Sequence, residues 1–375
     1  MSKTMIYVDH AATTALSPAA YEAMLPWLQD KYGNPSTLYS LARDPRKAVA
    51  HSREVIAAVI NADPSEIFFT SGGTEADNWA LKGTMLQHDR GKGMITSAIE
   101  HHAILNSCAA LERMGYAVNT LPVDQMGIVS ADTLQSALTE NVSLASIMLA
   151  NNEIGTIEPI AELAEITHQA GILFHSDAVQ AIGHIPVDVK ALQVDMLSAS
   201  AHKFNGPKGI GFLYIRKGVQ LIPLLDGGGQ ERGMRAGTEN VAGIVGMATA
   251  LQEHIEHLQQ ETVHLNALSS RLVDQLRLKG FDFRMNGSHH RVPGSLSLSF
   301  KSADGEMLLH RLDLMGTAVA TGSACDSKDS VLSHVIQAIG VPKDYAYGTI
   351  RITLGMDNTA EHVDRIAQQI ATILD

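Results

Sequence analysis

Between residue 50 and about residue 220 the apolar positions switch repeatedly between two periods. Short β-branched or aromatic runs give way to glycine-bearing turns and then to helical spacing. "EIFFTSGGTEADNWALKG", "GMITSAIEHHAILNSCAALERMG", "SLASIMLANNEIG" and "GILFHSDAVQAIG" all follow this course. "VDMLSASAHKFNGPKGIGFLYI" reads as a strand, a loop and a hairpin-like return. Strands separated by helical spacing predict βαβ units around a mainly parallel sheet.

After "GGGQERGMRAGTENVAGI" the pattern changes. Val241, Ile244, Val245, Leu251, Ile255 and Leu258 mark a long amphipathic helix, and Leu265, Leu268, Leu272 and Leu276 continue a helical stripe. "GSLSLSF" alternates as a strand does. Val363, Ile366, Ile370 and Ile373 give the last helix one apolar face, with Asn358 and Glu361 at capping-box spacing before it. From roughly residue 260 onward a smaller α+β unit is expected.

The chain has 375 residues, 45% of them apolar, enough for one large domain or two ordinary ones. Its 28 basic and 40 acidic residues leave a net charge of −12, which argues against a nucleic-acid binder. The longest apolar run, around "LASIMLA", is too short to span a bilayer. "MSKTMIYVDHAATT" has no apolar signal core, and two cysteines cannot make a disulfide framework. A soluble cytoplasmic protein is expected.

The unusual polar residues fall at strand ends, where doubly wound sheets bind ligands. Thr70, Ser71, Gly72, Gly73 and Thr74 open a helix and would cradle an anion, or simply form a turn. Asp177 ends an apolar strand, followed by Val179 and Gln180; it is a helix cap or a carboxylate facing a protonated ring nitrogen. Lys203, in Ala201-His202-Lys203-Phe204, is a surface lysine or an amine able to bond a carbonyl. His101 and His102 follow a strand and Glu100, with no metal-ligand spacing to accompany them, so no metal is expected. Asn151, Asn152 and Glu153 close another strand. Each has an ordinary structural explanation. Together they are the parts a pyridoxal phosphate site needs.

The two cysteines contrast. Cys108 lies at helical spacing from Ile104, Leu105, Leu111 and Met114 and reads as a buried structural thiol. Cys325, in "TGSACDS", sits among small polar residues, with Asp326 directly after it. An adjacent negative charge disfavours a thiolate, so what activates this thiol stays open.

The chain resembles the NifS/IscS-type cysteine desulfurases, within the fold-type-I pyridoxal phosphate enzymes. The likeness runs nearly end to end through "YVDHAATT", "YGNPST", "FFTSGGTEADNWAL", "IEHHAIL", "NNEIGTIEPI", "HSDAVQAIG", "SAHKFNGPKGIGFLYIR", "GGGQERGMRAGTEN", "TGSACDS" and "IRITLG". It implies an α/β fold with a seven-stranded, mainly parallel sheet in a large domain, residues 13–258. Residues 1–12 and 259–375 would form a small domain carrying the cysteine loop.

The resemblance also implies roles. Lys203 would hold the cofactor, Asp177 would pair with its ring nitrogen, and His101 would stack on the ring and take part in catalysis. Gln180 and Asn152 would hydrogen-bond the ring oxygen. Gly73, Thr74, Ser200 and His202 would bind the phosphate, with Thr238 reaching that of a neighbouring subunit in a homodimer. Arg351 would clamp the carboxylate of L-cysteine, with Asn152 and Asn34 nearby. Cys325 would take sulfur as a persulfide and hand it to an iron–sulfur scaffold or thiolation protein, leaving alanine. Three departures stand out. "TLYSLAR", with Tyr39, follows "GNPS" where a histidine is common. His10 stands where an asparagine often precedes the two alanines. The segment after Cys325 lacks a common proline, although its length is that of the long-loop branch, whose cysteine can swing.

Overall fold

The computed structural model describes residues 5–87, 91–322 and 332–375; Cys325 and Asp326 lie outside them. After β1 (Ile6–Tyr7) come the helices α1 (Pro18–Leu28) and α2 (Arg43–Val59), then the strands of the main sheet. These are β2 (Ile67–Thr70), β3 (Gly93–Ser97), β4 (Ala117–Leu121), β5 (Val142–Ser146), β6 (Leu173–Asp177), β7 (Met196–Ser200) and β8 (Gly211–Ile215). Their order across the sheet is β2-β8-β7-β6-β5-β3-β4. All neighbours run parallel except β8, which is antiparallel to both β2 and β7. The β7–β8 pair is the hairpin-like return that the sequence predicts.

Apart from β4 at the edge, the parallel strands are buried along their length except at half-buried Leu173. Two faces of apolar side chains therefore need cover. On one face Ile95, Ala145, Phe174 and Leu197 join a core with Ile56, Leu163 and Leu251. On the other, α3 (Gly73–Gln87) and α4 (His102–Arg113) lay Trp79, Leu81, Ile104 and Cys108 against Met94, Leu144 and Met196. Gly73 is needed where α3 starts, because a Cβ there would lie 2.6 Å from Val179 Cγ2.

A second core gathers Ile6, Val8, Leu272, Leu298, Ile352 and Ile366. It packs around β9 (Phe283–Met285), β10 (Ser295–Phe300) and β12 (Thr349–Thr353), paired antiparallel in the order β12-β10-β9, while the short β11 (Thr317–Ala318) runs parallel to β1. Both apolar stripes after residue 240 belong to one unbroken helix, Val241–Leu278, of 38 residues. Asn240 caps its start by accepting the Gly243 N–H at 3.0 Å. It runs straight across position 258, contributing Leu251 to the first core and Leu265 and Leu272 to the second.

The last helix, Ala360–Leu374, is capped by Thr359 rather than Asn358. Buried Asn358 is committed elsewhere, accepting the Gly355 N–H at 2.8 Å and donating to the Tyr7 carbonyl at 3.1 Å. Among the described residues no helix is long and apolar enough to cross a membrane.

Candidate active site

A cleft of about 650 Å³ opens at the carboxyl ends of the main-sheet strands. β2 leads into Ser71–Gly73 and the start of α3; β3 leads to His101; β6 ends at Asp177 and β7 at Ser200, just before His202 and Lys203. All of these line the cleft, as do Thr74, Asn152, Gln180 and Arg351. Most strand-end residues singled out in the sequence thus line one space; Thr70 and Asn151 do not, and buried Asn151 accepts the Glu153 and Ile154 N–H groups instead.

Lys203 sits in a short 3₁₀ turn (Ala201–Lys203) after β7. Its Nζ donates to the carbonyls of Ala11 and, at 2.9 Å, Ala12. The Gln180 Nε2 also donates to Ala11 O, at 2.9 Å, and keeps a second N–H for a ligand. The segment "DHAATT" therefore anchors the amine, a part the sequence reading left without a role. His10 within it packs edge-on to Tyr7, at 5.0 Å between ring centres, and fills the space a Cβ at Gly355 would need.

Asp177 makes a local turn contact and keeps one carboxylate oxygen facing the cleft. Its Oδ1 accepts the Val179 N–H at 2.9 Å, a local cap, and leaves Oδ2. Burial pushes its pKa up to about 6, against the lowering effects of that hydrogen bond and the Lys203 charge. A protonated ring nitrogen at this carboxyl would hold it ionised. His101 accepts the Ala103 N–H on Nδ1 at 3.1 Å, which puts the proton of the neutral ring on Nε2. Burial first, and then the charge of Lys203, push its pKa down to about 4. It offers an uncharged flat ring to a ligand.

Opposite, the start of α3, Ser200 and His202 line the cleft together and could hold an anion. Gly72 adopts φ +150°, and a Cβ there would lie 3.6 Å from Ser200 Oγ. His202 Nδ1 lies 3.2 Å from Thr13 Oγ1. Burial, followed by the charges of Lys203 and Lys208, pushes the His202 pKa down to about 4, so it meets an anion as a neutral donor. A helix N-terminus, two hydroxyl side chains and an imidazole suit a phosphate. With Asp177 and Lys203 at the other end, the cleft fits pyridoxal phosphate.

Arg351 lies buried on β12. Its Nη2 donates to Asp9 Oδ1 at 2.7 Å and its Nη1 to the Asn152 carbonyl at 3.0 Å, while Nε has no partner among the described residues. Asp9 fixes the guanidinium and escaped sequence reasoning, because nothing local to "YVDHAATT" ties it to a residue 342 positions away. Gly322 also lines the cleft, three positions before Cys325.

Two residues expected at the site lie elsewhere in their own chain. Asn34 does not line the cleft; its Oδ1 accepts the Ser36 N–H at 2.9 Å, and its own N–H points to Tyr39 Oη at 3.4 Å. Thr238 is exposed beside Gly237 and Glu239. Cys108 is buried on α4, and burial raises its thiol pKa to about 12.

This geometry defines a pyridoxal phosphate enzyme, and the comparisons agree. The aminotransferase class-V family matches residues 6–366, and the chain belongs to that family. Within it, the chain is similar to cysteine desulfurases. It is 48% identical to a cysteine desulfurase IscS of Dictyoglomus turgidum over 99% of this chain and 96% of that protein. A solved structure titled NifS-like protein is 40% identical, superposes with a TM-score of 0.93 and covers 99% of each chain. Another, titled SspA in complex with cysteine, is 34% identical with a TM-score of 0.83 and covers 93% of this chain and 98% of that one.

Proposed function

We propose that this protein converts L-cysteine to L-alanine and receives the sulfur on Cys325 as a persulfide. The observation that carries the reading is the single cleft that brings together Lys203, Asp177, His101, Ser200, His202 and Arg351. Chain connectivity supports the thiol's part. Gly322, three positions before Cys325 in the sequence, lines that cleft.

When bound, pyridoxal phosphate supplies an electron sink for the charge formed on the substrate carbons. Asp177 holds the ring nitrogen protonated, His101 covers a ring face, and Gln180 and Asn152 bond the ring oxygen. Gly73, Thr74, Ser200 and His202 hold the phosphate. Lys203 anchors the cofactor and, as a free amine, takes the proton from the substrate Cα. Arg351, pre-aimed by Asp9, receives the substrate carboxylate. The Cys325 thiolate attacks the substrate sulfur; a sulfur–sulfur bond forms as the bond from Cβ to sulfur breaks, and protonation at carbon completes alanine.

Exposed Tyr21, Leu25, Leu28, Tyr32 and Leu38 form apolar surface around α1 suited to a second copy of the chain, which Thr238 of each subunit would also serve. We place this homodimer in the cytoplasm, with residues 13–258 as the cofactor domain and the rest as the small domain. Its sulfur passes to an iron–sulfur scaffold or thiolation protein.

Incubation with cysteine, without reductant, is the test. Alanine must appear and the peptide carrying Cys325 must gain the mass of one sulfur atom; an unmodified peptide during turnover refutes the reading. Arg351→Lys gives a narrower check. Loss of the planar fork should raise KM for cysteine by about 10- to 100-fold, with a smaller effect on kcat, and Asp9→Asn should move KM the same way. An unchanged KM in both would remove Arg351 from substrate binding.

A further inference from the structure

Below the cleft lies a second buried acid that the reaction above does not use. Asp77 is on the inner face of α3, 1% exposed, and lines the cleft. Ligand atoms of Asp77, Asp177 and His101 all lie within 4.8 Å of one another. Asp77 Oδ1 is buried with no hydrogen-bond partner among the described residues; His175 Nε2, at 3.8 Å, is beyond hydrogen-bond range.

A directed chain of hydrogen bonds arrives at the other side of this carboxyl. His175 is fully buried and neutral, its pKa pushed down to about 3 by burial alone. Its Nδ1 lies 2.9 Å from Ser146 Oγ and its Nε2 2.9 Å from Ser198 Oγ. Ser198 in turn hydrogen-bonds the Asp77 carboxyl. With the proton on Nε2, each member donates once: the Ser146 hydroxyl to His175 Nδ1, the His175 Nε2–H to Ser198, and the Ser198 hydroxyl to Asp77. That leaves Oδ1 as the atom able to carry a proton.

The titratable groups facing Asp77 decide its state. Asp177 comes from β6, Glu100 from the turn after β3, and neutral His101 from the start of α4. The cation acting on Asp177 is Lys203. Two adjacent buried carboxylates sharing one cation cannot both stay ionised.

We propose that Asp77 and Asp177 form a carboxyl pair holding one proton, with Asp77 as the protonated member and a positioning residue for Asp177. Burial and the charge of Asp177 raise the Asp77 pKa well above the ordinary carboxylate range, in keeping with the geometry. The pair then presents a single negative charge, which matches a single protonated ring nitrogen. This inference rests on the pyridoxal phosphate reading of the cleft, but its test needs no cofactor.

The experiment is infrared spectroscopy of the apo-protein at neutral pH, with and without a ¹³C label at aspartate carboxyls. The label is needed because buried Glu100 and Glu158, with pKa values raised to about 8 and about 9, also hold protons. A protonated-carboxyl band that shifts with the label, and is lost completely in Asp77→Asn, is expected. If Asp77→Asn does not fold, the labelled wild-type protein still decides, since a label-sensitive protonated band must be present in it. Absence of that band, its survival in Asp77→Asn, or loss of a carboxylate band instead overturns the proposal. Visible absorbance on adding pyridoxal phosphate to the wild-type protein tests the cofactor reading separately.

Discussion

Lys203→Ala protein mixed with pyridoxal phosphate should show no lysine-linked visible absorbance band and should form alanine from cysteine at least about a thousandfold more slowly than wild type. Under the proposed function two roles sit on this one amine, anchorage of the cofactor and removal of the Cα proton. His101 and His202 are neutral and held well below the usual histidine range, and the carbonyls of Ala11 and Ala12 can only accept. Lys203→Arg should fail equally, because a guanidinium neither bonds the cofactor carbonyl nor gives up its proton near neutral pH. The measurements are an absorbance scan and an alanine assay. Turnover surviving in either variant would exclude Lys203 as the base.

Cys325→Ala should keep the visible absorbance of the wild-type holoenzyme and lose sulfur transfer. We expect alanine formation without added thiol to drop by at least about a hundredfold, since the nucleophile for the substrate sulfur is gone. Cys108 is the internal control. With its pKa raised to about 12, it is almost wholly protonated near pH 8. Iodoacetamide should therefore label one thiol per wild-type chain at that pH and none per Cys325→Ala chain. Alanine production unaffected by the substitution would favour a lyase that needs no thiol.

The sequence made the strand-end residues visible because a parallel sheet delivers the ends of its strands to one edge. Gly73, His101, Asp177 and Lys203 each follow a run of buried β-type residues, so local pattern sufficed to place them, whereas Ser200 came only with the family resemblance. Contacts between distant segments had no such signal. The pairing of Asp9 with Arg351 joins the strand Ile6–Tyr7 region to β12, and the Lys203 contacts with Ala11 and Ala12 join β7 to the N-terminal segment. Asp77 was hidden differently. It occupies a helical position whose neighbours, Ala76 and Ala80, read as ordinary core, and only the folded sheet shows which carboxyl it faces. Helix spacing continued so evenly past Leu258 that the Val241–Leu278 helix carries both cores, and the capping residues of the last helix were misread by one position because Asn358 is spent on holding Gly355 and Tyr7.

Arg351 belongs to the second core by its strand and to the main sheet by its hand. β12 pairs with β10, Ile350 opposite Leu298, and both residues join the second core; from there the guanidinium crosses to Asn152. If Arg351 grips the substrate as proposed, that grip is a seam between two separately packed interiors, whereas Lys203 and Asp177 hang from one sheet. A substitution that loosens the second interior should then weaken the hold on cysteine before it changes cofactor absorbance.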